Sequence, residues 1–346
     1  MKIKVFLIFL IISFGATGGG LLSARRAFGQ TEVTVQAGKW FVNGEPVNAG
    51  SPAEGLLMNV RMVNAVFEDR GHRGKSHLNG FSPEENVSRF ISQIPAYVRQ
   101  GINAFTVSLQ GGYPGYEGAV NTAYHPDGRL RASYMNRVER VIRKAGEHGA
   151  AIILTCFYQR QHSHPQALSG ENAIRAAIKN VVDWIRKNAF SNIVLEISNE
   201  YAHPGYRKWA DGEWLSSISG QVELIKLAKA HAPELLVSTS GMGNGTIAEP
   251  IAEAADFILI HFNNTKLRDI PLRIMDARVY GKPVVCNEDD KIGEEGAMAA
   301  RFSVMRDAGW GYMHIKKNQM APFEFSGPDD DPVVYRVISR LTGSEQ

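Results

Sequence analysis

Ile193–Glu200 reads IVLEISNE. Four of its first five residues are aliphatic, the pattern of a short buried strand, and the run stops on an amide and a carboxylate, Asn199 and Glu200. A second stretch, Lys282–Asp290 (KPVVCNEDD), starts at a proline, is apolar in its middle and ends on Asn287 and Glu288. Two strands far apart in the chain therefore present a glutamate at the same end. Parallel α/β folds keep their chemistry at that end.

Outward from these stretches, short apolar runs alternate with amphipathic helical patterns. The expected strands are Met58–Val66, Asn103–Leu109, Ala151–Phe157, Asn192–Ser198, Leu235–Thr239, Phe257–His261, Val284–Asn287 and Gly311–Ile315. The segments between them read as helices. Ser82-Pro83-Glu84-Glu85 is a capping box with proline at the first helical position, and Tyr134, Val138, Val141, Ile142 and Ala145 share one face of the next helix. Further helical patterns cover Glu171–Lys187, Glu213–Ala232, Thr246–Ala255, Leu267–Tyr280, Glu294–Ala308 and Pro332–Leu341. Strand then helix, repeated eight times, is the count of a (β/α)₈ TIM barrel. An open doubly wound sheet would carry a glycine-rich phosphate loop after its first strand. Phe67–Gly80 has none, and Gly241–Gly245 after the fifth strand reads as a strand-to-helix turn.

In an eight-stranded barrel the ends of the fourth and seventh strands face each other across the mouth. Glu200 and Glu288 could then approach to about 5–5.5 Å, the spacing of a retaining glycosidase. The carboxyl in the more apolar setting would stay protonated and serve the leaving oxygen; the one surrounded by donors would stay ionised and attack. Polar and aromatic residues suited to sugar hydroxyls and C–H faces follow several strands: Gln110, Tyr113 and Tyr116; Tyr158, Gln159 and Gln161; Asn263 and Asn264.

LEISNE at Leu195–Glu200 resembles the fourth-strand signature of the clan A glycoside hydrolases, above all the cellulase-like glycoside hydrolase family 5. The resemblance implies that Glu200 is the acid/base, that Glu288 in PVVCNE is the nucleophile, and that Asn199 binds the sugar 2-hydroxyl or steadies the nucleophile. By the same resemblance His261 matches the sixth-strand histidine, and Trp310 lies near the aromatic platform under the sugar. Asn287 completes the paired Asn-Glu ends. The chain departs from the family in three places. The second strand reads NAFTVSLQ, with Thr106 near the usual arginine, which makes Arg61 on the first strand the candidate substitute, paired with Glu196 or Glu288. Asn263 stands where a tyrosine is common, and Tyr201 where proline follows the acid/base. The expected member is therefore a divergent one.

Hydrophobic residues at 44% and charged residues at 21% suit an ordinary globular chain. The formal charge of +3 becomes −1 without Lys2, Lys4, Arg25 and Arg26, so the basic character belongs to the N-terminus and does not argue for nucleic acid. Lys2 and Lys4 ahead of Val5–Phe14 make a secretory leader, too short to span a bilayer. The expected organisation is a leader over residues 1–29, with cleavage after Gly18 or Gly29, a small two-stranded β-hairpin lid over 30–50 that is signalled by Asn43-Gly44 and packs on the barrel, and the barrel over 51–346. Such a protein would be secreted or periplasmic, without membrane insertion after cleavage. Cys156 and Cys286 sit in apolar runs and read as buried free thiols.

Two other functions remain open on the sequence. A barrel that binds carbohydrate without turnover fits the missing second-strand arginine. A metal-dependent hydrolase would use His162 and His164, with His72 and His77 nearby, although their Gln/Ser/Pro-rich setting is unlike a strand-borne metal site. The glycosidase reading needs no cofactor and no metal.

Overall fold

The computed structural model describes residues 31–70, 80–111, 120–161 and 166–345. The eight barrel strands are β4 (Met58–Arg61), β5 (Ala104–Ser108), β6 (Ala151–Phe157), β7 (Ile193–Ser198), β8 (Leu236–Ser238), β9 (Ile258–His261), β10 (Val284–Glu288) and β11 (Ala308–Tyr312). They pair in parallel in the order β8-β7-β6-β5-β4-β11-β10-β9. A parallel bridge from Ser240 to Leu259 and the Ser238 Oγ bond to Phe257 O (2.7 Å) draw β8 and β9 together at the remaining seam. The helices are α1 (Pro83–Arg99), α2 (Ala132–Glu147), α3 (Glu171–Lys187), α4 (Gly212–Leu215), α5 (Ile218–His231), α6 (Glu249–Ala254), α7 (Ile270–Arg278), α8 (Gly293–Val304) and α9 (Pro332–Thr342). Among the described residues none is long and apolar enough to cross a membrane.

Period-two alternation divides each strand between two chemistries. Outward residues such as Val60, Phe105, Leu154, Leu195, Ile260 and Cys286 pack against the helices in one large core. Inward residues form layers. The lowest layer is apolar and holds Ala104, Ala151, Ile153, Val194, Leu259 and Val285. Above it the interior turns polar, with Asn59, Thr106, Thr155, Glu196, Ser238 and Asn287 almost wholly buried. That change along the barrel axis gives the molecule a chemically distinct upper end.

The N-terminal strands β1 (Val33–Gln36), β2 (Lys39–Val42) and β3 (Glu45–Pro46) form an antiparallel sheet. Three strands replace the two-stranded hairpin expected from the sequence, because the chain after the Asn43-Gly44 turn pairs once more with β2. The sheet closes the lower end. Val33 N donates to Ser191 O (2.9 Å), and the Trp40 ring meets Phe257 edge-on at 5.2 Å. Val33, Trp40 and Val47 share the apolar lower layer of the barrel. The sheet is a stopper at the far end from Glu200 and Glu288, and no lid over them. The expected leader lies outside the described residues.

Several element boundaries shift for identifiable reasons. The last strand is Ala308–Tyr312, earlier than the expected Gly311–Ile315. Gly309 and Gly311 lie inside the strand. A Cβ on Gly309 would sit 2.2 Å from Leu57 O, and one on Gly311 2.5 Å from Asn59 Nδ2. Close approach of neighbouring strands requires them. The expected helix Glu213–Ala232 divides into α4 and α5, because Ser217 caps the second part by accepting from Gly220 N (2.9 Å). The first strand ends at Arg61, and Met62–Phe67 continues as buried turns. Ser82 caps α1 as its capping box predicts, accepting from Glu85 N. Cys156 and Cys286 are buried and free.

Trp40 is 1% exposed and spans the stopper and the barrel floor. Replacing it by alanine is expected to destabilise the fold by about 3–5 kcal/mol, read as a fall in the urea midpoint with little change in slope.

Candidate active site

The upper end of the barrel carries a cleft of about 270 Å³, lined by Arg61, Tyr158, Gln159, Asn199, Glu200, Asn263 and Glu288 among others. Two local devices aim the carboxylates into it. On β10 the register with β9 slips between Cys286 and Glu288: Cys286 pairs with Ile260, and Glu288 with His261. The extra residue, Asn287, makes a bulge, so consecutive residues Asn287 and Glu288 both serve the barrel interior. On β7 the strand ends at Ser198, and Glu200 adopts a left-handed conformation, φ +50°. Its amide donates to Ser240 Oγ (2.9 Å), and its carbonyl accepts from His203 N (2.7 Å).

The two acids meet. Glu200, His261 and Glu288 each place one side-chain ligand atom within 4.8 Å of those of the others. His261 Nδ1 stands 3.5 Å from Glu200 Oε1 and 3.5 Å from Glu288 Oε2. Glu288 is engaged on both oxygens: Arg61 Nη2 makes an ion pair with Oε2 at 2.9 Å, and Asn263 Nδ2 donates to Oε1 at 2.6 Å. Arg61 also donates to Asn199 Oδ1 (2.6 Å), and Asn199 in turn donates to Gln159 Oε1 (3.3 Å). Gln319, from the turn after β11, donates to Arg61 O at 2.8 Å.

Electrostatics follow from this packing. Burial pushes the Glu288 carboxyl above its ordinary range, against the pull of Arg61 and His261 and with help from Glu200. Burial also acts upward on Glu200, but His261 and then Arg61 outweigh it and hold Glu200 below its ordinary value. For His261 burial disfavours the cation, yet the two facing carboxylates, Glu288 before Glu200, lift the imidazole above its ordinary value. The three groups thus form one coupled proton-holding cluster.

The expected site residues divide into two sets. Arg61, Asn199, Glu200, His261, Asn263 and Glu288 converge, and Tyr158 lines the cleft beside them. Three others sit elsewhere. Trp310 is fully buried outside the barrel wall, its Nε1 donating to Asp289 Oδ2 (2.9 Å), so it is no platform for a sugar. Gln110 is spent on the scaffold, donating to Thr122 Oγ1 (3.1 Å) and accepting from Tyr158 N (3.2 Å). Asn287 lies one layer below the cleft, bonded to Glu196 (3.3 Å). Tyr113, Tyr116, His72, His77, His162 and His164 lie outside the described residues. Ser240 and Gln319 escaped the sequence reading, because no motif marks them and only the tertiary fold brings them to Glu200 and Arg61.

The departures from the resembled family acquire physical reasons. Arg61 is paired in register with Thr106 on the adjacent strand, so it enters the site at the same height from one strand over. Tyr201 N donates to Ser240 O (3.1 Å), a bond that proline could not make. Asn263 supplies the donor to Glu288, and a Cβ on Gly243 would lie 2.6 Å from its Oδ1. The Gly241–Gly245 loop therefore supports Asn263. As for metals, Glu200, His261 and Glu288 could offer one ligand each. The guanidinium of Arg61, already against Glu288, supplies positive charge where a cation would sit and repels it.

Removing the guanidinium would strand a buried carboxylate. Arg61→Met is expected to lose about 3–5 kcal/mol at pH 7. The loss should shrink in acid, where Glu288 takes up a proton and the uncompensated charge disappears; urea unfolding from pH 4 to 8 reads both.

No family model matches the chain, and no curated protein matches it. Solved structures do. An endo-1,4-β-mannanase from Rhizomucor miehei superposes with TM-score 0.60 at 11% identity, over 90% of this chain and 99% of that one. The exo-β-1,4-mannosidase Op5Man5 from Opitutaceae bacterium strain TAV5 gives 0.60 at 13%, over 90% of this chain and 62% of its own longer one. A GH5-4 broad specificity endoglucanase from Clostridium longisporum gives 0.55 at 9%, over 86% and 99%. At these identities the likeness establishes the fold: a (β/α)₈ barrel resembling those of the family 5 glycoside hydrolases.

Proposed function

We propose that the protein is a retaining glycoside hydrolase in which Glu288 is the nucleophile and Glu200 the acid/base. The observation that carries this reading is the pair of carboxylates in one cleft, with oxygens within 4.8 Å and fixed donors on only one of them. An inverting enzyme needs about 6.5–9.5 Å to hold a water between its acids. The donors set the roles. Arg61 and Asn263 hold the negative charge of Glu288 ready for attack, while Glu200 faces His261 and the open rim.

In the first step the Glu200 carboxyl protonates the glycosidic oxygen as Glu288 attacks the anomeric carbon, forming a glycosyl ester and expelling the aglycone. Glu200, now ionised, takes a proton from water, whose oxygen attacks the same carbon and frees Glu288. In the free protein burial favours the shared proton on Glu288. A sugar ring over the rim reverses that order, since loss of water raises the carboxyl of Glu200. Asn199, held between Arg61 and Gln159, is placed to meet a sugar hydroxyl. The leader at residues 1–29 supports action outside the cytoplasm, where polysaccharides are found.

The structural neighbours' names, mannanase, mannosidase and endoglucanase, make β-1,4-mannan and β-1,4-glucan the first substrates to assay. Glu288→Ala is expected to abolish release of reducing sugar. Glu200→Ala should lose about 10²–10⁴-fold on polysaccharide but far less on a dinitrophenyl glycoside, whose leaving group needs no proton. The opposite pattern between the two variants would exchange the roles, and undiminished turnover in both would sink the proposal. Unchanged rates in chelator would separate this chemistry from a metal-dependent one.

A further inference from the structure

Beneath the cleft lies a carboxylate with no part in the steps above. Glu196 is fully buried at an inward position of β7, where a barrel interior ordinarily holds a neutral side chain. Its Oε2 accepts from Thr155 Oγ1 (2.5 Å) and from Asn287 Nδ2 (3.3 Å), whereas among the described residues its Oε1 and the Oδ1 of Asn287 have no hydrogen-bond partner. A buried carboxylate held by so few donors is costly, and a glutamine or leucine would fill the same space at less expense of stability. Thr155 stands beside it on the neighbouring strand β6, and its bond across the barrel interior is with Asn287, the extra residue of the β10 bulge, which Glu288 follows. On the other side of the bulge Asp289 is fixed by Trp310 Nε1 (2.9 Å) and Lys291 Nζ (2.8 Å).

We propose that Glu196 is a positioning residue for Glu288: by gripping Asn287 across the barrel interior, it holds the bulge in the register that turns the Glu288 carboxylate toward Arg61 and His261. The inference rests on the hydrolase reading for its consequence but not for its geometry. Clamping Asn287 from inside and Asp289 from outside leaves Glu288 little freedom, as preorganisation of a nucleophile requires. The negative charge of Glu196 also reaches Glu288, where, after burial and alongside Glu200, it helps to hold the carboxyl up.

Glu196→Gln keeps the shape and one acceptor but removes the charge, and is tested with 2,4-dinitrophenyl β-mannoside and β-glucoside. The expected result is a kcat lower by on the order of 10- to 100-fold with KM within about two-fold. The carboxyl ¹³C titration of Glu288 should move to lower pH, because one of the groups raising it is gone. An unchanged kcat, or a parallel loss of kcat, KM and thermal stability with the Glu288 titration in place, would reduce Glu196 to scaffold and overturn the proposal. Should Glu196→Gln not fold, Asn287→Ser cuts the same link while leaving Glu196 and Thr155 in place, and the split between kcat and KM decides. If the wild type cleaves neither glycoside, the hydrolase reading is what fails. The Glu288 titration in Asn287→Ser then decides, because that variant leaves the Glu196 charge in place: a moved titration supports the clamp and an unmoved one refutes it.

Discussion

The ion pair between Arg61 and Glu288 organises the upper half of this barrel. Both groups are almost wholly buried, and neither could be left there alone without several kcal/mol of penalty. The pair also joins strands that are not neighbours. Arg61 belongs to β4 and Glu288 to β10, with β11 between them. The bridging strand carries Gly309 against the Leu57 backbone and Gly311 against Asn59 and Cys286. One layer down, Asn59 makes the same crossing to Cys286 O at 2.9 Å. The charge pair thus ties the arginine of the first strand to the residue that follows the bulge on the seventh.

Around that pair the site is built by division of donors. Glu288 has an ion pair with Arg61 and a hydrogen bond from Asn263, while His261 stands at equal distance from Glu288 and Glu200. Two chemically identical side chains are thereby made unequal, burial raising Glu288 while His261 and Arg61 hold Glu200 down. Strain contributes on the Glu200 side. A left-handed backbone at a residue other than glycine costs about 1–2 kcal/mol, and the bonds to Ser240 and His203 hold it in place. The lower end of the barrel is given over to stability, where the three-stranded sheet and Trp40 seal an apolar floor. The acidic cleft and the apolar floor are therefore separated along the barrel axis, the usual arrangement of this architecture.

Much of the fold was legible in the sequence. Buried parallel strands must be short apolar runs, and amphipathic helices must alternate with them, so eight repeats of that pattern admit few architectures. The two Asn-Glu strand ends were legible for the same reason: a polar pair closing an apolar run has to lie at the strand's end, at one mouth of the barrel. Local signals also fixed the Ser82 cap and the Asn43-Gly44 turn, because such motifs are satisfied within a few residues.

Side-chain direction was decided by the tertiary structure. Trp310 in the eighth strand, and Gln110 and Asn287 near the ends of the second and seventh, read as site residues. Period-two alternation at β11 turns Trp310 outward, and the bulge in β10 sends Asn287 beneath the cleft. A one-residue change of register moves a side chain from one face to the other, and register is set by partner strands distant in sequence. The choice of Glu288 over Glu196 as the partner of Arg61 was settled in the same way. Composition and periodicity determine which residues are strand and which are helix, since those depend on near neighbours. What each carboxylate meets depends on strands brought together only when the barrel closes.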